Sequence, residues 1–160
     1  MKLMTILLTV FSLSFSSFYV SYDLMANLEV SVESISVDED YDSGALAVGY
    51  NHDLGGPWSL GASLDVLKME GDGSDDGDGF LNLYGRYNHT LSDKMSLWGS
   101  LGYNLPQGDI DSADAGLSYG LGFSMSNGVG ISYVFHNISE TADGITADGI
   151  VSRFTVSYSF

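Results

Sequence analysis

The stretch Trp58-Ser59-Leu60-Gly61-Ala62-Ser63-Leu64-Asp65-Val66 decides how this chain reads. Successive side chains of an extended strand point to opposite faces. Trp58, Leu60, Ala62, Leu64 and Val66 therefore share one face, and Ser59, Gly61, Ser63 and Asp65 share the other. The same period of two recurs along the chain, and helical periodicity is absent after the N-terminal segment. Leu117, Tyr119, Leu121, Phe123 and Met125 alternate with Gly116, Ser118, Gly120, Gly122 and Ser124. Phe154, Val156, Tyr158 and Phe160 alternate with Arg153, Thr155, Ser157 and Ser159.

Counting outward predicts eight strands, near residues 27–37, 43–53, 57–69, 80–91, 95–106, 115–125, 129–139 and 149–160. Each holds about ten residues, the length a tilted strand needs to cross a bilayer. An even number of antiparallel strands can close and leave no edge exposed to lipid. The connections alternate in length. Short ones are Leu54-Gly55-Gly56, Ser92-Asp93-Lys94 and Ser126-Asn127-Gly128. Long ones are Asp38–Asp42, Glu70–Gly79, Gln107–Asp114 and Glu140–Asp148, and they hold four, five, three and three of the 21 acidic residues. Short turns at one rim and long loops at the other are the pattern of an all-β, up-and-down, eight-stranded transmembrane β-barrel.

The N-terminus reads as a secretory signal peptide over residues 1–26. Lys2 precedes a charge-free apolar run from Leu3 to Phe15, and small serines follow. The cleavage point falls between 16 and 26, with Ser16 and Ala26 as its two ends, and the barrel domain then spans 27–160. A transmembrane anchor is the competing reading of Leu3–Tyr22, but the serines interrupt the apolar run early. The formal charge of −16, with 5 basic residues against 21 acidic, excludes nucleic acid and a polybasic grip on anionic lipid. With no Cys, disulfide and thiolate chemistry are excluded.

The whole stretch after the signal resembles the small eight-stranded outer-membrane barrels of the OmpX and OmpA-transmembrane-domain type. The most specific piece is the ending Phe154-Thr155-Val156-Ser157-Tyr158-Ser159-Phe160. Phe154, Val156, Tyr158 and Phe160 resemble the assembly signal read by the outer-membrane insertion machinery. The resemblance implies the outer membrane of a Gram-negative-type envelope, with lipid and lipopolysaccharide as surroundings. It implies no activity.

Several side chains are candidates for more than wall-building. Alternation aims Glu29, Glu33, Asp65, Arg86 and Arg153 inward, with Asp65 opposite Arg86 and Arg153 beside Glu29 and Glu33 on closure. Buried charges need partners, so a lumenal salt-bridge network that plugs the barrel is expected; a narrow conduit is its rival. Asp72-Gly73-Ser74-Asp75-Asp76-Gly77-Asp78 begins like a calcium loop, but its twelfth position is Leu83 inside a strand. That leaves a weak divalent-cation site at Asp72, Asp75, Asp76 and Asp78 as the alternative to a solvated loop, and no other cofactor. His136, Ser139 and Glu140 suggest a lipid hydrolase, yet His136 and Ser139 fall on opposite strand faces. The expectation is a monomeric, non-enzymatic structural or surface-interaction barrel with acidic outward loops. A small-solute pore is the first alternative and a lipid-modifying hydrolase the second.

Overall fold

The computed structural model describes residues 16–32, 35–71, 76–142 and 144–160. They form nine antiparallel strands: β1 (Ser16–Val32), β2 (Ile35–Asp40), β3 (Leu46–Gly55), β4 (Trp58–Leu67), β5 (Asp78–Ser92), β6 (Met95–Gly108), β7 (Gly116–Met125), β8 (Val129–Ala142) and β9 (Ile145–Ser159). Their order is β2-β1-β3-β4-β5-β6-β7-β8-β9, and β1 also pairs with β9. β2 and β3 lie end to end along one edge of β1, β2 against Asn27–Val32 and β3 against Ser16–Tyr22. The wall therefore has eight positions and closes.

The first hairpin differs from the sequence expectation of strands at 27–37 and 43–53. β1 starts at Ser16 and turns back between Val32 and Ile35, so Asp38–Asp40 belong to a returning strand and not to a loop. Phe18, Val20 and Tyr22 alternate with Tyr19, Ser21 and Asp23, the same period as the other strands. In the sequence they fall within the range expected for signal cleavage. Residues 1–15, which carry the apolar run of the expected signal, lie outside the described residues.

A bulge between Asp23 and Met25 shifts the pairing of β1 with β9. An extra residue in one strand exchanges the faces beyond it. Asp23, 1% exposed, points inward, and the next inward residue is Ala26; Leu24 and Met25 both face out. Glu29 thereby leaves the inner face and is exposed beside Asp38 and Ile150.

The burial pattern is the reverse of a soluble protein's. Leu60, Leu64, Leu83, Leu101, Tyr103, Leu117, Leu121 and Ile131 are exposed, whereas Ser21, Asp23, Asn51, Asp65, Asn82, Asn104, Ser118 and Arg153 are buried. Only surroundings of hydrocarbon make that arrangement favourable, with polar groups satisfied inside a closed wall. Aromatic pairs such as Trp58–Tyr87 and Tyr158–Phe160 lie on this outer face, near the short-turn rim.

Candidate functional site

Three layers fill the interior. Nearest the long loops, Ala26, Ala45, Met69, Phe80 and Val151 form an apolar cluster, backed by Leu28, Tyr41, Ile110 and Ile138. Tyr41 donates its hydroxyl to Asp78 Oδ2 at 2.6 Å. Burial and this carboxylate raise the Tyr41 pKa, so the phenol stays neutral.

Below it lies an ion triad. Arg153 Nε meets Asp23 Oδ2 at 2.5 Å, and its Nη1 and Nη2 reach Asp65 Oδ2 and Oδ1 at 2.9 and 3.0 Å. Three further donors reach these carboxylates. Thr155 Oγ1 donates to Asp23 Oδ1, the Ala45 amide to Asp23 Oδ2 and the Phe80 amide to Asp65 Oδ2. His136 stacks on Phe80 with centroids 4.3 Å apart, and its Nδ1 has no partner among the described residues.

Toward the short turns, aromatic rings lie on glycines of the neighbouring strand. Tyr19 covers Gly49, Tyr84 covers Gly61 and Trp98 covers Gly122, and each pair is a direct cross-strand pair. A Cβ on any of the three glycines would enter the ring, which explains glycine inside these strands. Tyr19 and Tyr84 share a hydroxyl hydrogen bond of 3.0 Å, and Tyr84 donates to Asn51. Arg86 lies over the Trp98 ring, 4.1 Å from its centroid. A cavity of about 90 Å³ runs between these side chains and the triad.

The second feature is a sheet that projects beyond the wall at the long-loop rim, in the order β2-β1-β9-β8. Past the bulge, Leu28, Val30 and Val32 share a face with Ile35, Val37 and the single acid Glu39, while Asn27, Glu29 and Ser31 share the other with Asp38 and Asp40. Ile35 and Val37 are 69% and 61% exposed. Among the described residues β2 has one partner strand, β1, so its other edge is open.

The predicted site residues distribute as follows. Asp65 and Arg153 meet, but Asp65 does not face Arg86: Leu64 pairs with Leu81, which centres the β4–β5 hairpin between residues 72 and 73 instead of near 75. Arg86 instead pairs with Ser59 in register and bonds Asn88 Oδ1 and Ser124 Oγ. Glu29 is no partner of Arg153, because the bulge turns it outward; Asp23 takes that place. Glu33, Asp72 and Asp75 lie outside the described residues. Asp76 and Asp78 belong to no group of three potential metal ligands among those described. No described hydrogen bond joins His136 to Ser139 or Glu140; His136 is buried inside, and Glu140 accepts from Ser112 at the rim. Phe154, Val156, Tyr158 and Phe160 sit on β9 and at its end, and the Phe160 amide bonds to Phe18. Asp23 and the ring-on-glycine pairs escaped the sequence reading. The strand glycines were the signal available for the ring contacts.

Neisserial surface protein A (NspA) matches this chain with a TM-score of 0.53 at 13% identity, over 91% of this chain and 99% of that one. This is the fold of the small eight-stranded outer-membrane β-barrels. The Yersinia pestis attachment invasion locus protein Ail, in a structure with the heparin analogue sucrose octasulfate, gives 0.47 at 15% identity, over 91% and 97% of the two chains. No family model matches this outer-membrane-type barrel, and no curated protein does.

Proposed function

We propose that this barrel is an outer-membrane surface protein that docks a partner by strand addition to β2. The observation that carries this reading is the open β2 edge on a projecting sheet. Exposed backbone donors and acceptors along such an edge are a template for one more strand. The side chains define the complement: an extended segment with apolar residues toward Ile35 and Val37 and basic residues toward Asp38 and Asp40. Glu29 and Asp38 are like charges paired across β1 and β2, a costly arrangement that a basic strand relieves. The short turns lie on the periplasmic side in this reading and the projection faces outward.

The interior supports a plugged lumen over the pore alternative, because the apolar cluster and the Arg153 triad occupy the section nearest the long loops. The separation of His136 from Ser139 and Glu140 supports a non-enzymatic role. The signal ends at the serine side of its range in this proposal, since Ser17–Ala26 supply wall residues. The C-terminal strand is the segment offered to the insertion machinery.

An alternating valine–lysine peptide, added to the folded barrel in lipid nanodiscs, tests the docking edge. Saturable binding that a valine–glutamate peptide lacks, and that Ile35→Lys with Val37→Lys removes, is the expected result. Equal binding of both peptides overturns the proposal. Steady ion conductance across a planar bilayer would overturn the plug.

A further inference from the structure

Arg86 is a part-buried cation without a carboxylate bonded to it among the described residues. A guanidinium has five N–H donors. Two are used, Nε on Asn88 Oδ1 at 2.9 Å and Nη2 on Ser124 Oγ at 3.3 Å, and both acceptors are neutral. The other lumenal arginine is already matched by Asp23 and Asp65. Asp53, exposed at the short-turn end of β3, acts on Arg86 only through space.

The cavity beside Arg86 is lined by hydroxyls, those of Ser100, Ser132, Ser157, Ser159 and Tyr19 among them. Its exposure changes along the axis. Asp65, His136 and Arg153 are buried, whereas Arg86, Ser100, Ser157 and Ser159 are partly exposed. The cavity is therefore a vestibule that opens at the short-turn rim and ends at the triad. Its volume of about 90 Å³ leaves room for several waters or one small inorganic anion. A charge withdrawn from water is costly unless matched, and planar guanidinium donors suit an oxyanion.

We propose that this vestibule binds a small inorganic oxyanion of phosphate size, held by Arg86 and the surrounding hydroxyls. In a chain of −16 formal charge the site is a local inversion of sign. It lies at the rim opposite β2, so it stands or falls independently of the docking edge.

Trp98 reports on the site because Arg86 stacks on it. A Trp58→Phe background leaves it as the sole tryptophan of the two. Inorganic phosphate is titrated into the full folded barrel at constant ionic strength, maintained with gluconate. The expected result is a saturable change in Trp98 fluorescence. Arg86→Gln abolishes it, Arg86→Lys retains it at weaker half-saturation, and Lys94→Gln, which removes the other cation near this rim, leaves it unchanged. A non-saturating response of the parent barrel overturns the proposal whatever the variants do. So does an equal response in Arg86→Gln that still runs as a closed barrel on an unboiled gel.

Discussion

Arg153 on β9 and Asp65 on β4 meet through two parallel hydrogen bonds, Nη1–Oδ2 of 2.9 Å and Nη2–Oδ1 of 3.0 Å, although their strands share no ladder. The contact crosses the lumen. Asp23 on β1 completes it, so three wall strands are tied through one guanidinium. Removing one partner of a buried pair leaves an uncompensated charge, at about 3–5 kcal/mol. Asp65→Ala leaves Arg153 paired with Asp23, so in urea unfolding from lipid vesicles it is expected to destabilise the barrel by less than that amount. Arg153→Ala strands two carboxylates and is expected to cost more. A loss smaller for Arg153→Ala than for Asp65→Ala would contradict the triad.

Leu121, 66% exposed, and Leu64 project from the outside of the wall. Arginine at either position is expected to cost about 2–4 kcal/mol where the residue lies near the bilayer midplane. Glu29→Lys, on the projection, should be neutral to slightly stabilising in the same unfolding assay, since it replaces the like-charge pair with Asp38. Comparable costs at all three positions would mean that the lipid-facing surface is wrongly assigned.

Gly122→Ala brings a Cβ against the Trp98 indole and is expected to destabilise by about 1–3 kcal/mol through overpacking. In a Trp98→Ala background the same substitution should cost less by the part due to the ring, while the approach to the Ile131 carbonyl oxygen remains, because contacting residues couple in a double-mutant cycle. Additive effects would refute the ring-on-glycine contact.

N-terminal sequencing of the protein recovered from membranes should find a start close to Ser16. A start after Ala26 would delete Asp23 and the part of β1 that pairs with β3, and no barrel of this topology could then close.

Truncation of Phe160 should reduce the amount of barrel inserted in cells while leaving the unfolding midpoint of the purified, refolded protein unchanged. Normal insertion would remove the assembly role of the C-terminal strand.

The closed antiparallel wall of eight positions, its faces from β4 onward and the alternation of short and long connections were legible in the sequence, because lipid enforces a strict period of two at residues such as Leu64 and Leu121. What it hid has two causes. Apolar composition put Phe18–Tyr22 within the range expected for signal cleavage, and Asp23 with them. A single-residue bulge then exchanged inside for outside along β1, so Glu29 read as the partner of Arg153. Composition carries no mark of such a bulge. The Asp65 partner was missed for a simpler reason: a long connection does not fix where its hairpin is centred, and an error of two or three residues moves a charge to another neighbour.

The last hairpin contains the same five residues twice, Thr141-Ala142-Asp143-Gly144-Ile145 and Thr146-Ala147-Asp148-Gly149-Ile150. The turn falls within the first copy, where Ala142 lies opposite Ile145, and the two copies meet at Thr141 and Thr146, whose hydroxyls are 3.0 Å apart. All of this lies beyond the pair His136–Val151, at the level of the apolar cluster. Adding or losing a copy there changes how far the hairpin stands above the membrane and leaves every pairing below it in place. The reach of the barrel into its surroundings is thus free to vary in whole units during evolution, at no cost to the part that must fit the bilayer.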